Sequence, residues 1–102
     1  MKDLYIEKEE LKTLIDSSDV DLIDVRTEEE FNSLKKVPNT KNIPMKLILK
    51  DPEKYLSSKD RHSVIICNAG NRSTDVAKEL RNLGYNAQSL RGGAFGYHRE
   101  EK

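Results

Sequence analysis

Residues 67–73 read Cys67-Asn68-Ala69-Gly70-Asn71-Arg72-Ser73, bringing the chain's one cysteine, a glycine, an arginine and a hydroxyl into a single short stretch. With Gly in the middle and no bulky side chain, such a stretch can curl until successive backbone N–H groups converge on one point. A helix N-terminus beside it adds its dipole, and the result is an anion cradle. With the Cys67 sulfur at its centre, the same donors stabilise a thiolate, the form in which sulfur is a nucleophile. Arg72 adds a fixed positive charge at the rim, suited to holding an anionic substrate by two parallel hydrogen bonds. Arginine at a helix start opposes the helix dipole, and a residue set against its local field points to an anion that balances it. The competing reading is a buried hydrophobe, the commoner fate of a lone cysteine that closes an apolar strand.

Elements on either side must hold this loop. Val20 to Val25 and Ser63 to Cys67 are β-branched-rich runs with the abrupt ends of buried strands, Ala87 to Leu90 is a shorter candidate, and Leu4 to Ile6 and Lys41 to Ile43 are weaker ones. Helical spacing marks Glu7 to Asp16, with Leu11, Leu14 and Ile15 on one face. Thr27 followed by Glu30 reads as a capping box opening a short helix that buries Phe31 and Leu34, and this accounts for the Glu28–Glu30 run without a partner. Ser73 to Leu83 is the clearest helix, with Val76, Ala77, Leu80 and Leu83 as its apolar stripe and Gly84 at its end.

Strands alternating with helices imply a parallel sheet covered on both faces, because parallel neighbours need crossovers. Ligands of such sheets bind beyond the carboxyl ends of the strands. Two segments fall there: Asp24-Val25-Arg26, and Cys67 onward. Asp24 and Arg26 are expected to form a carboxylate–guanidinium partnership tying neighbouring loops, in support of the site rather than on the substrate. Gly92-Gly93 fits a close backbone approach after the last strand, near the same edge.

Composition bounds the rest. The 102 residues form one domain's worth of chain, residues 1–102, large enough for a core without staples. One cysteine excludes an intrachain disulfide and any thiolate-rich metal site. His62 and His98 have no ligand spacing and read as surface residues. No apolar run is long enough to cross a bilayer and the start lacks a signal-peptide core, so no membrane association and a cytoplasmic address are expected. Eighteen basic residues balance eighteen acidic ones, which argues against nucleic acid as the partner. Oligomeric state is not legible, since no surplus apolar stripe marks an outer face.

The order of motifs resembles the single-domain rhodaneses, a sulfurtransferase family. The matching residues are Leu22-Ile23-Asp24-Val25-Arg26 with Glu30-Phe31, Val37-Pro38 with Asn42-Ile43-Pro44, the C-x-x-G-x-R-S loop Cys67 to Ser73, Leu80 with Leu83-Gly84-Tyr85, and Leu90-Arg91-Gly92-Gly93 with Tyr97. They run from about residue 4 to 97. The resemblance implies a rhodanese-like α/β fold, about five parallel strands flanked by helices on both faces.

It also implies chemistry. Cys67 would take the outer sulfur of thiosulfate, a polysulfide or a persulfide donor, carry it as a persulfide, and pass it to a thiol or cyanide. Asn68, Ala69, Gly70, Asn71, Arg72 and Ser73 would bind the substrate, and no metal or organic cofactor is needed. Related cell-cycle phosphatases and the unrelated tyrosine phosphatases place five residues between Cys and Arg, whereas four separate Cys67 from Arg72. The tighter ring favours sulfur over phosphate. The alternative is a catalytically silent module of the same fold that binds or regulates. Two departures stand out: Lys35-Lys36-Val37-Pro38-Asn39-Thr40 replaces the family's Gly-His-Ile-Pro-Gly-Ala, altering the wall formed by 33–41, and Tyr97 stands where Trp is usual. Lys35 and Lys36 read as a solvated face.

Overall fold

The computed structural model describes residues 3–99. Its strands are β1 (Tyr5–Ile6), β2 (Val20–Asp24), β3 (Lys41–Asn42), β4 (His62–Ile66) and β5 (Ala87–Leu90), joined by α1 (Lys8–Leu14), α2 (Glu28–Ser33), α3 (Met45–Lys50), α4 (Pro52–Tyr55), α5 (Asn71–Asn82) and α6 (Gly93–His98). Side chains alternate across a strand, so each apolar run feeds two cores. Val64 and Ile66 of β4 go to one face with Leu22, Ile6, Leu11 of α1 and Ala94 of α6. Ile65 and Cys67 go to the other, with Ile23, Ile48 of α3, and Val76, Ala77 and Leu80 of α5. This two-sided burial is why these strands read as continuous apolar runs.

All five strands are parallel in the order β1-β5-β4-β2-β3, with Ile23 opposite Ile65 and Asp24 opposite Ile66. From β2 the chain runs outward to β3, and from β4 it runs outward the other way to β5. The β2/β4 boundary is therefore where connection direction reverses, the place a ligand crevice forms in an open parallel sheet. The segments after these two strands are the ones the sequence marks.

Several expectations are met and some are corrected. The Thr27 capping box is present, with Thr27 Oγ1 accepting from the Glu30 N–H and the Glu30 carboxylate accepting from the Thr27 N–H. Yet α2 buries no residue: Phe31 is half-buried beneath the Lys36 ammonium, 5.0 Å from the ring centroid, and Leu34 is 38% exposed. Six residues give too little face for a stripe, and α2 is held instead by polar contacts of Glu30. Helix α5 starts two residues earlier than the sequence indicates. Val76, Ala77 and Leu80 are buried as expected, but Leu83, the C-cap residue where the chain turns away, is 43% exposed. His62 is half-buried against Gln88, Nε2 to Oε1 2.7 Å, rather than at the surface, because it opens a central strand. The exposed His98 meets the Lys36 carbonyl. In the altered wall, Asn39 adopts φ 65° and donates from Nδ2 to the Ile15 carbonyl at 2.8 Å. Asparagine tolerates this left-handed conformation, so it replaces the family's glycine without a broken turn. Lys35 and Lys36 are exposed. Among the described residues no helix is long and apolar enough to cross a membrane.

Gly93 permits a backbone approach that a side chain would block. At φ +61° its α-carbon faces the loop after β4 so tightly that an added Cβ would lie 2.4 Å from the Asn68 carbonyl oxygen and 2.6 Å from that of Cys67. The next two N–H groups bond those same oxygens, Ala94 to Cys67 at 2.8 Å and Phe95 to Asn68 at 3.0 Å. Gly93→Ala is expected to lower unfolding free energy by at least about 1–3 kcal/mol, the scale of forced backbone strain. Denaturant titration measures this, and an unchanged midpoint refutes the packing role.

Candidate active site

Strand β4 ends at Ile66, which leaves Cys67 one step beyond the sheet with its backbone still clamped by α6. The chain then turns through Gly70, whose φ of 109° is open to glycine alone at little cost, into the first turn of α5. That turn aims two donors at the sulfur: Gly70 N–H at 3.1 Å and Ser73 N–H at 3.3 Å from Sγ. The Cys67 thiol in turn donates to Ser73 Oγ at 3.3 Å. Cys67 is only 1% exposed and packs among apolar residues, but its sulfur lies on polar hydrogens. The sulfur thus meets two main-chain donors and a hydroxyl while the residue packs in the core.

Around the loop runs a chain of ion pairs and amides. Asp24 and Arg26 are both fully buried and joined doubly, Nε to Oδ1 at 3.0 Å and an outer nitrogen to Oδ2 at 2.8 Å, as the sequence reading expects. Arg26 extends on to Asn68 Oδ1 at 2.9 Å and to the Lys35 carbonyl at 3.1 Å. Asn68 then donates from Nδ2 to Glu30 at 3.0 Å. Glu30 receives Arg72 through two parallel bonds of 2.7 and 2.9 Å. The bidentate grip foreseen for Arg72 therefore exists, but on Glu30 rather than on a substrate. Sequence reasoning gave Glu30 a capping role alone. A carboxylate on the helix after β2 and an arginine two residues past Gly70 carry no spacing signal, since only the sheet brings them together. The Arg72 guanidinium, aided by the Thr27 N–H, pulls the Glu30 carboxyl from 4.5 down to about 2, and Glu30 pushes Arg72 upward in return.

Of the remaining loop residues, Ala69 and Asn71 are exposed, Asn68 and Arg72 half-buried, and Gly70 and Ser73 buried. Beside the loop, Leu34, Lys35, Phe95 and His98 line an open groove of about 440 Å³. Among the described residues no group of three or more His, Cys, Asp or Glu side chains gathers as a metal site would.

The family model for the rhodanese-like domain matches residues 7–100. The chain belongs to the rhodanese-like domain family. A rhodanese-like domain protein from Staphylococcus aureus is 36% identical, with 99% of this chain and 97% of that one covered and a TM-score of 0.73. A rhodanese-related protein from Thermoplasma volcanium is 29% identical over 91% of this chain and 88% of that one, with a TM-score of 0.77. The human single-domain sulfurtransferase, 23% identical over 98% and 100% of the two chains, shares the fold at a TM-score of 0.81. A comparison with curated proteins gives no match. In this rhodanese-like domain the sheet and flanking helices agree with the fold that the sequence motifs imply.

Two outcomes test the ion-pair chain. Asp24→Ala strands a fully buried guanidinium and is expected to cost about 3–5 kcal/mol of unfolding free energy; a loss below about 1 kcal/mol in denaturant titration refutes the pairing. The Glu30 carboxyl ionises lower in the folded state than unfolded, so its stabilisation is complete above about 4.5 and fades as pH falls toward about 2. Glu30→Gln should flatten the fall in stability across that window, and an acid-unfolding curve with wild-type slope counts against the role.

Proposed function

We propose that this rhodanese-like domain, spanning residues 1–102, is a sulfurtransferase with Cys67 as its sulfur carrier. The observation that carries the proposal is the pair of N–H groups, from Gly70 and Ser73, bonded to Sγ. Hydrogen bonds to an ionised sulfur favour the thiolate and are preset before any reaction. With thiosulfate, the thiolate pair forms a bond to the outer sulfur as that sulfur's bond to the sulfonate breaks, giving the Cys67 persulfide anion and sulfite. A thiolate acceptor, or cyanide, then bonds the outer sulfur and Cys67 leaves as thiolate.

The first turn of α5 has N–H groups at Asn71 and Arg72 for which the helix provides no acceptor. Together with Asn68 and Ala69 they are the donors we assign to the second sulfur. Arg72 and Arg26 are each joined to a carboxylate, so a donor anion is met mainly by main-chain amides. This widens the donor class to polysulfides and persulfides as well as thiosulfate, with a thiol as the physiological form of acceptor. A thiolate carrier works only while it is reduced, and we assign the activity to the cytoplasm. The near-complete burial of Cys67 supports the second reading, a silent module of this fold that binds rather than transfers.

Mass spectrometry after exposure to thiosulfate or polysulfide separates the two. The expected result is a gain of one sulfur atom at Cys67, removed by cyanide with release of thiocyanate, and lost in the nearly isosteric Cys67→Ser at unchanged thermal stability. A chain that takes up no sulfur, or a serine variant that still releases thiocyanate, overturns the assignment.

A further inference from the structure

Behind Cys67 lies a line of hydroxyls that the transfer chemistry does not use. Ser73 Oγ is 3.3 Å from Sγ, donates to the Gly70 carbonyl at 3.2 Å and is 2.8 Å from Ser89 Oγ, which is 3.2 Å from Thr74 Oγ1. Thr74 Oγ1 donates to the Gly70 carbonyl at 2.6 Å and reaches the Tyr5 hydroxyl at 3.4 Å. Ser89 sits in β5 between β1 and β4, opposite Tyr5 and Ile65, and is fully buried. A buried serine inside a strand has weak strand propensity and needs partners for its hydroxyl, so its place here has a cost unless the hydroxyl is used.

Resting on the reading of Cys67 as a thiolate carrier, we propose that Ser89 is a positioning residue which supports the ionised sulfur through Ser73. Each hydroxyl has one hydrogen to give. With the thiol protonated, Sγ–H points to Ser73, and the Ser73 hydrogen goes to the Gly70 carbonyl or to Ser89. When the thiol proton leaves to water, Ser73 turns its hydrogen to the sulfur and Ser89 turns its own to Ser73. No covalent bond but S–H changes; the hydroxyls rotate. The 2.8 Å contact between the serines exists in both orders, but only in the second does it feed a donor bonded to an anion, where hydrogen bonds are about twice as strong and polarise one another. Ser89 therefore favours the thiolate.

Charged groups near the sulfur are matched. Arg72 of α5 is paired with Glu30 of α2, Asp24 and Arg26 beyond β2 are paired with each other, and on the β5 and β1 side Arg91 is paired with Glu7 and lies over the Tyr5 ring. None of these contacts Ser89, so its removal leaves them in place.

The test is the pH profile of thiolate ultraviolet absorbance, referenced to Cys67→Ser; with one cysteine in the chain the signal belongs to Cys67. Ser89→Ala is expected to lower the ionisation constant about two-fold, the effect of losing the polarisation that one hydrogen bond lends the next on a bond to a charged group. Ser89→Thr, which keeps the hydroxyl, should titrate as wild type. In a Ser73→Ala background, where the line is cut at its first link, Ser89→Ala should produce no further shift. A profile indifferent to Ser89, or one shifted equally with and without the Ser73 hydroxyl, overturns the proposal. The titration needs no sulfur donor. A domain that ionises as described but takes up no sulfur refutes the transferase reading alone, and one that takes up sulfur with a Ser89-independent profile refutes the relay alone.

Discussion

A guanidinium with no exposure to water organises the reactive edge of this domain. Arg26 can be buried only because Asp24, two residues earlier on the same strand end, neutralises it and because its remaining hydrogens find Asn68 and the Lys35 carbonyl. Those bonds fix the first residue after the cysteine and the start of the 33–41 wall at once. From Asn68 the constraint passes to Glu30 and on to Arg72, so the loop is braced at both ends by one alternating sequence of charges. Removing any charged member leaves its partner unpaired, and removing Asn68 disconnects the two pairs, which makes the loop's shape a property of the set rather than of its own backbone preference.

The sulfur itself sits at a boundary. Its β-carbon belongs to the apolar layer between the sheet and α5, while Sγ faces N–H groups and a hydroxyl. Low polarity around a set of fixed donors strengthens each hydrogen bond they make to the sulfur.

Much of this was legible in the sequence because it is local. The strands VDLID and HSVII, the Thr27 box, the Val76–Leu80 stripe and the Cys67 loop all follow from spacing within one element, and their placement at one edge follows from parallel connectivity. The Asp24–Arg26 partnership was also readable, two residues apart at a strand end. Helices α3, α4 and α6 were not, since each is short and takes its stability from packing rather than from a stripe or a cap. The contacts of Glu30 with Arg72 and of Ser73 with Ser89 span 42 and 16 residues, and no pattern along the chain encodes such distances. The burial foreseen for Phe31 and Leu34 failed for the converse reason: periodicity names a face, but a neighbouring element must cover it.

Gly93 joins the two halves of the reactive edge, and its position late in the chain sets an order of events during synthesis. Residues 67–73 leave the ribosome before 93–95, so the carbonyls of Cys67 and Asn68 wait for the amides of Ala94 and Phe95. Until those arrive the two carbonyls lack the amides that hold them in the folded domain. The curl around the sulfur is thus finished by the last helix among the described residues.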